Sequence, residues 1–243
     1  MSRVMKTAAL LLGLAACAAP AWAQEEPKLK DGHFPFEGIF GTYERGALQR
    51  GFQIYDEVCS NCHSLSLLSY RNLADLGFNP DEVKALAAAK QVSVNGTERP
   101  ATPVDHFVAP NPAVTAAFAA KPPDLSVITK ARDGGADYVY SLLQGYTNPP
   151  QGVTVPAGIF YNEVFPGHQI SMPPPLQPDR VQYADGTQAS LDQEAHDIAS
   201  FLAWASEPEL ERRHRLGIEA MLFMIILTGM LYAVKRRIWS DVH

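Results

Sequence analysis

Near the C-terminus the chain turns apolar: residues 216–234 carry a single charge, Glu219. As a helix these 19 residues rise about 28 Å, close to a hydrocarbon core of about 30 Å. Arg212, Arg213 and Arg215 flank one end, and Lys235, Arg236 and Arg237 the other. Cationic clusters at both ends fit a membrane span better than a buried core helix, and Tyr232 and Trp239 suit the interface. Just upstream, Ala195, Ile198, Ala199, Leu202 and Ala205 recur at helical spacing. The helix bearing that stripe opens at a capping box, Ser190-Leu191-Asp192-Gln193, and ends near Pro208, and its successor continues into the membrane.

The rest of the pattern predicts short helices between long loops. Residues 43–58 read as a helix leading into Cys59. Asn79-Pro80-Asp81-Glu82 supplies an N-cap, a proline at the first helical position and an acid at the third. Residues 136–144 form a short helix closed by Gly145. The strand signals are few, and 91–94 is the best of them, as one arm of a small hairpin. Nineteen prolines break the middle of the chain into ordered loops. The predicted class is mainly α, with long proline-rich loops and one C-terminal transmembrane helix.

The N-terminus predicts export. Arg3 and Lys6 precede a short apolar run, and Ala21-Trp22-Ala23 is a small-x-small cleavage site. The alternative is a lipoprotein box ending at Cys17. The predicted division is a signal peptide at 1–23, an exported domain at 24–211, an anchor helix at 216–234 and a cytoplasmic tail at 235–243. The overall charge of −6 hides an asymmetry. Residues 24–211 hold 12 Lys/Arg and 24 Asp/Glu, whereas 212–243 hold six basic and two acidic residues. An acidic body excludes nucleic acid as a partner and favours a basic soluble one met by electrostatic steering.

Cleavage after Ala23 leaves two cysteines, in Cys59-Ser60-Asn61-Cys62-His63. Two thiols three residues apart share one face of a helical turn and can point at one flat ligand. In C-x-x-C-H they become thioethers to a haem, and the histidine becomes an axial ligand. The rival readings are a thioredoxin-like redox pair, which wants a βαβ context, and structural zinc, which wants four ligands. For the sixth iron position, Met172 is the one methionine of the exported body. It lies in the rigid run Pro166 to Pro174. His168 is its main rival, and His33, His106 and His196 remain open. Two filled axial positions leave no open site for oxygen or peroxide and point to one-electron transfer; an open one would point to a gas sensor. Lys130, Arg132 and Tyr138 are candidates to hold the haem propionates.

With these residues in view, the sequence resembles the cytochrome c1 family, the haem c subunits of the cytochrome bc1 complex. The resemblance covers nearly all of the chain after the signal. It rests on Val58 to Ser64, on Lys121-Pro122-Pro123-Asp124-Leu125-Ser126, on Ala131-Arg132-Asp133-Gly134-Gly135-Ala136-Asp137-Tyr138-Val139, and on Leu142-Leu143-Gln144-Gly145-Tyr146. Phe165-Pro166-Gly167, Phe201 to Glu209 and Tyr232 to Arg236 also carry it.

It implies a class I c-type cytochrome-like periplasmic domain with one covalent haem c per chain, attached through Cys59 and Cys62. It further implies His63 and Met172 as axial ligands, Arg132 and Tyr138 near a propionate, and Phe165 and Pro123 near the haem. Implied partners are cytochrome b, the Rieske iron–sulfur protein and a basic cytochrome c, in a dimeric, proton-translocating complex of a bacterial inner membrane. A free-standing membrane cytochrome feeding an oxidase is the alternative. Two departures stand out. The cysteine pair that braces the methionine loop in some bacterial relatives is missing here, and so is the long acidic N-terminal insertion of some relatives.

Overall fold

A computed structural model describes residues 27–241, apart from 95, 109, 117 and 119. The expected signal peptide at 1–23, with Cys17, lies outside the described residues. Helix α1 (Arg45–Glu57) opens at Glu44, whose carboxylate accepts from the N–H groups of Gly46 and Ala47. A 3-10 turn, Cys59–Asn61, and a 3-10 helix, Tyr70–Leu76, follow. Next come α2 (Pro80–Ala88), a hairpin of β1 (Gln91–Val94) and β2 (Thr97–Pro100), and a single turn, α3 (Pro112–Thr115). Helix α4 (Gly135–Gln144), a short antiparallel ribbon of β3 (Phe160–Tyr161) and β4 (Gln169–Ile170), and the long helices α5 (Leu191–Ser206) and α6 (Leu210–Ile238) complete the chain.

The mainly helical class is as the sequence predicts, and the differences are local. At Asn79 the capping box forms in full, with Glu82 reaching back to the Asn79 N–H. At Ser190 only half of it forms. The Ser190 hydroxyl accepts from Gln193 N–H, but the Gln193 carboxamide turns away and donates to Asp197. A buried carboxylate one turn along is the stronger acceptor. The β3/β4 ribbon escapes prediction because two residues per strand carry no periodicity.

The core forms where α1 crosses α5 and α4 packs beside them. Leu48, Phe52, Ile54 and Tyr55 from α1 meet Ile198, Phe201, Leu202 and Trp204 from α5, all buried. The stripe inferred at 195–205 is the buried face of α5. The crossing point is Gly51. A Cβ there would lie 2.1 Å from the Asp197 carbonyl oxygen and 2.6 Å from Phe201 Cβ. Only a residue without a side chain lets the two helices approach this closely.

Gly51→Ala therefore forces the helices apart. Overpacking costs about 3 kcal/mol, and better helix propensity returns about 1 kcal/mol. We expect a net loss of about 2 kcal/mol in chemical denaturation of the detergent-solubilised holoprotein; unchanged stability would mean the crossing is loose.

Helix α6 starts four residues after α5 ends. Its 29 residues extend about 43 Å. It is the one helix among the described residues long and apolar enough to cross a membrane, with a mean hydropathy of 1.9 over its most apolar window. Only Leu210, at its base, is buried against the body. A span of this length and polarity fits a membrane anchor.

Candidate haem site

The attachment motif sits where α1 unwinds. Beyond Glu57 the last carbonyls of α1 lack helical partners, and the motif's own polar side chains satisfy them. Ser60 Oγ donates to the Asp56 carbonyl at 2.8 Å, and Asn61 Nδ2 to those of Val58 and Glu57 at 3.1 and 3.2 Å. The N–H groups of Cys62 and His63 both return to the Cys59 carbonyl, at 3.1 and 2.9 Å. This single turn brings Cys59, Cys62 and His63 to one wall of a cavity of about 940 Å³.

His63 is held from behind. Its Nδ1 lies 2.8 Å from the Pro123 carbonyl oxygen, which can only accept, so Nδ1 carries the proton and Nε2 keeps its lone pair. Burial lowers the imidazole pKa, against the opposing pull of that hydrogen bond. A neutral imidazole with its second nitrogen oriented by a carbonyl is what an iron ligand requires.

The Pro123 carbonyl is itself fixed by its neighbour. Asp124 accepts from Ser64 Oγ at 2.6 Å, Ser66 N–H at 2.9 Å and Ser126 N–H at 2.8 Å. Burial alone would raise the Asp124 carboxyl, but hydrogen bonds from Ser126, Ser64 and Ser66 outweigh it and hold the group well below the usual carboxylate range. A depressed folded-state pKa stabilises the fold above the unfolded value of about 4, and the gain drains away as pH falls towards the folded value. Asp124→Asn should thus cost about 2 kcal/mol at pH 7, the scale of hydrogen bonds to a charged acceptor. It should also shrink the loss of stability between pH 5 and about pH 2. Thermal midpoints of the two proteins across that range check this; parallel curves would contradict it.

Met172 lies on the cavity wall contributed by the loop that follows β4, and Phe165, Arg132, Tyr138 and Pro123 line the same cavity. The walls are largely apolar, with Leu125, Ile128, Val139, Leu142, Ile198 and Leu202 among them. None of the rival histidines lines it. His168 stacks on Tyr161, with ring centroids 5.6 Å apart, and its Nδ1 lies 3.2 Å from the Asn162 carbonyl oxygen. His196 stacks on Phe34 at 4.7 Å. His33 is exposed beside Asp31, and His106 bridges to Ser69. Lys130, a candidate propionate partner by sequence, is also outside the cavity and pairs with Glu207.

Three residues missed by the sequence reading complete the site. Asn162, fully buried, donates to the Leu142 carbonyl at 2.8 Å and accepts from the N–H groups of Val164 and Phe165. It clamps the loop onto the end of α4. Tyr146 Oη donates to the Met172 carbonyl at 3.1 Å. These polar contacts hold the methionine loop without a disulfide. Arg180 joins Arg132 as a second guanidinium on the cavity wall. Its only signal in the sequence was scarcity: it is one of 12 cations in residues 24–211.

The donor set fits a haem. Two thiols sit beside an oriented imidazole, a thioether lies on another wall, the lining is apolar, and two guanidiniums can pair with carboxylates. Burial pushes the Cys59 thiol up to about 12, which disfavours the thiolate a redox pair needs. Among the described residues no group of three or more His, Cys, Asp or Glu is arranged to hold a metal, whereas structural zinc wants four ligands.

A haem-attachment turn beneath crossed helices defines a c-type cytochrome, and the apolar helix that follows fits a membrane anchor. Residues 34–242 match the family model described as the Cytochrome C1 family. The chain is 42% identical to a protein named Cytochrome c1 from Rhodospirillum rubrum over an alignment 270 positions long, gaps included, covering 100% of this chain and 99% of that one. It is 41% identical to the mitochondrial cytochrome c1 haem protein of Schizosaccharomyces pombe, covering 92% of this chain and 78% of that one. It is also 41% identical to a protein named Cytochrome b/c1 from Bradyrhizobium diazoefficiens, over 86% of this chain but only 35% of that longer one. The chain belongs to the cytochrome c1 family. Members of that family carry covalently bound haem c, and Cys59, Cys62 and His63 fit its attachment motif.

Proposed function

We propose that this chain is the electron-transfer subunit of a quinol–cytochrome c oxidoreductase, the bc1 complex. It relays single electrons from the Rieske iron–sulfur protein to a basic cytochrome c. The observation that carries this reading is the pairing of an oriented His63 with Met172 on the wall of one apolar cavity. Haem c, when bound there, supplies a one-electron iron couple. The chain's own residues do the rest. Cys59 and Cys62 would tether the group, and His63 and Met172 would ligate its iron. Arg132, Arg180 and Tyr138 would pair with its propionates, and Phe165 and Pro123 would pack near its ring. Iron ligated by two protein side chains would leave no site for oxygen, so the chain would need no catalytic residue of its own.

Cytochrome b is the membrane partner in this proposal, and a relative whose name joins b and c1 supports the pairing. The complex is a dimer and moves protons as a whole. The haem body, 24–211, faces the periplasm of a bacterial inner membrane, 216–234 spans the membrane, and 235–243 is cytoplasmic. The acidic body steers the basic acceptor. Stopped-flow mixing of quinol-reduced membranes with a basic cytochrome c tests this. The second-order rate should fall steeply as ionic strength rises, because the steering is screened. A rate indifferent to salt, or no transfer at all, would overturn the acceptor assignment.

A further inference from the structure

The segment that leads into α1 lies along the first turns of α6. Tyr43 N–H donates to Glu211 at 2.7 Å, and Arg45 pairs with the same carboxylate at 2.7 Å. The Gly41 carbonyl oxygen lies 3.3 Å from His214 Nδ1. Traced backwards from Tyr43 to Gly41, the strap therefore descends α6 from Glu211 to His214. Two extended residues cover about 6.6 Å and three helical residues about 4.5 Å, so the next step carries the strap to the level of 216–218, where the apolar span begins.

There the chain reverses. Gly41 N–H donates to the Gly38 carbonyl at 3.3 Å, and Gly38 takes φ of +84°. The two central residues of this turn are Ile39 and Phe40. Each is 76% exposed, the highest value for any large apolar side chain among the described residues, above even the 68% of Met221 within the span.

We infer that this turn dips Ile39 and Phe40 into the lipid interface beside α6, as a second membrane contact. Three features favour lipid over another protein. By the rise reckoned above, the tip reaches the turn of α6 where Leu216 and Ile218 are exposed and the apolar surface begins. Arg212, Arg213 and Arg215 stand on α6 just before its apolar run, where cations meet anionic lipid; Arg212 and Arg213 also pair with Glu209 and Glu207, and Arg215 adds a further cation. A short apolar tip beneath a basic collar is also the composition of an interfacial anchor. One helix alone lets the body tilt and swivel; a second contact, tied to α6 through Glu211 and His214, fixes the pose of the haem domain on the bilayer.

This inference rests on α6 spanning the bilayer, and the test separates the two. Nitroxide labels are placed by Ile39→Cys, Phe40→Cys, Leu67→Cys and Leu222→Cys in the full haem-loaded chain, whose native motif cysteines are consumed as thioethers. The proteins are reconstituted in phosphatidylcholine–phosphatidylglycerol vesicles and in the intact complex. Collision with oxygen, which concentrates in lipid, is compared with collision with a water-soluble nickel chelate. The inference predicts oxygen-to-nickel ratios at 39 and 40 between the low value at 67 and the high value at 222, in both preparations. Ratios at 39 and 40 equal to that at 67 would overturn it, provided 222 still reports lipid. A water-like value at 222 would instead remove the span on which it rests. Labels at 39 and 40 shielded from both reagents in the complex would overturn it in favour of a protein partner.

Discussion

Replacing Met172 with leucine lowers the reduction potential of the haem-loaded chain by on the order of 0.2 V, a fraction of the ~0.8 V range that axial ligation spans. The cause is specific. A thioether favours ferrous over ferric iron, and leucine of similar volume keeps the packing while removing the sulfur. The same variant should bind carbon monoxide when reduced, because the sixth position is then open. The structure makes the test clean, since the Met172 backbone is held independently through its carbonyl by Tyr146. A redox titration followed by the haem absorption checks it. A potential within a few tens of millivolts of the parent, with no carbon monoxide binding, would remove Met172 as ligand and return His168 to contention.

The second large effect lies far from the iron. Arg50 Nε and Nη2 donate to the two carboxylate oxygens of Asp197, at 2.8 and 3.1 Å, and Nη1 reaches Asp185 at 2.9 Å. The Asp197 side chain has no exposed surface. Hydrogen bonds donated to Asp197 and Asp185 hold the guanidinium firmly charged, against the cost of its own burial. Arg50→Met strands a buried carboxylate one residue from the Gly51 crossing, and about 3–5 kcal/mol of stability should go with it. Arg50→Lys should recover only part, because an ammonium cannot bridge both oxygens. Adding Asp197→Leu to Arg50→Met should restore most of the loss, since the pair itself contributes less than its rupture costs. Chemical denaturation of the four holoproteins measures this. A loss below about 1 kcal/mol for Arg50→Met would place the pair in the class of solvated surface bridges.

The parts of this molecule that repeat or punctuate were legible in its sequence. The stripe of α5, the Asn79 cap and the apolar run of α6 follow from helical spacing and local hydrogen bonding, which act within a few residues. The attachment motif was legible for a similar reason, because five consecutive residues hold both tethers and one ligand. What remained hidden depends on distant backbone. Pro123 orients His63 through a carbonyl that every residue owns, so no side-chain pattern marks it. Asn162 and Tyr146 are single polar residues in proline-rich loops, and only folding shows that they clamp α4 and the Met172 loop. Spacing alone left Met172 and four histidines in competition; the fold separates them by turning Met172 to the cavity and the histidines elsewhere. Gly51 reads as a weak point in a helix until α5 is laid across it.

The central claim is that this haem body works inside a quinol-oxidising membrane complex. It is tested most directly by capturing the C-terminally tagged chain from membranes in mild detergent and recording a reduced-minus-oxidised spectrum of the eluate. The result predicted here is b-type haem and a Rieske iron–sulfur protein co-eluting with the c-type haem, which is then reduced on adding quinol. A c-type haem eluting alone, under conditions that keep other membrane complexes intact, would contradict it and leave a free-standing, membrane-anchored cytochrome.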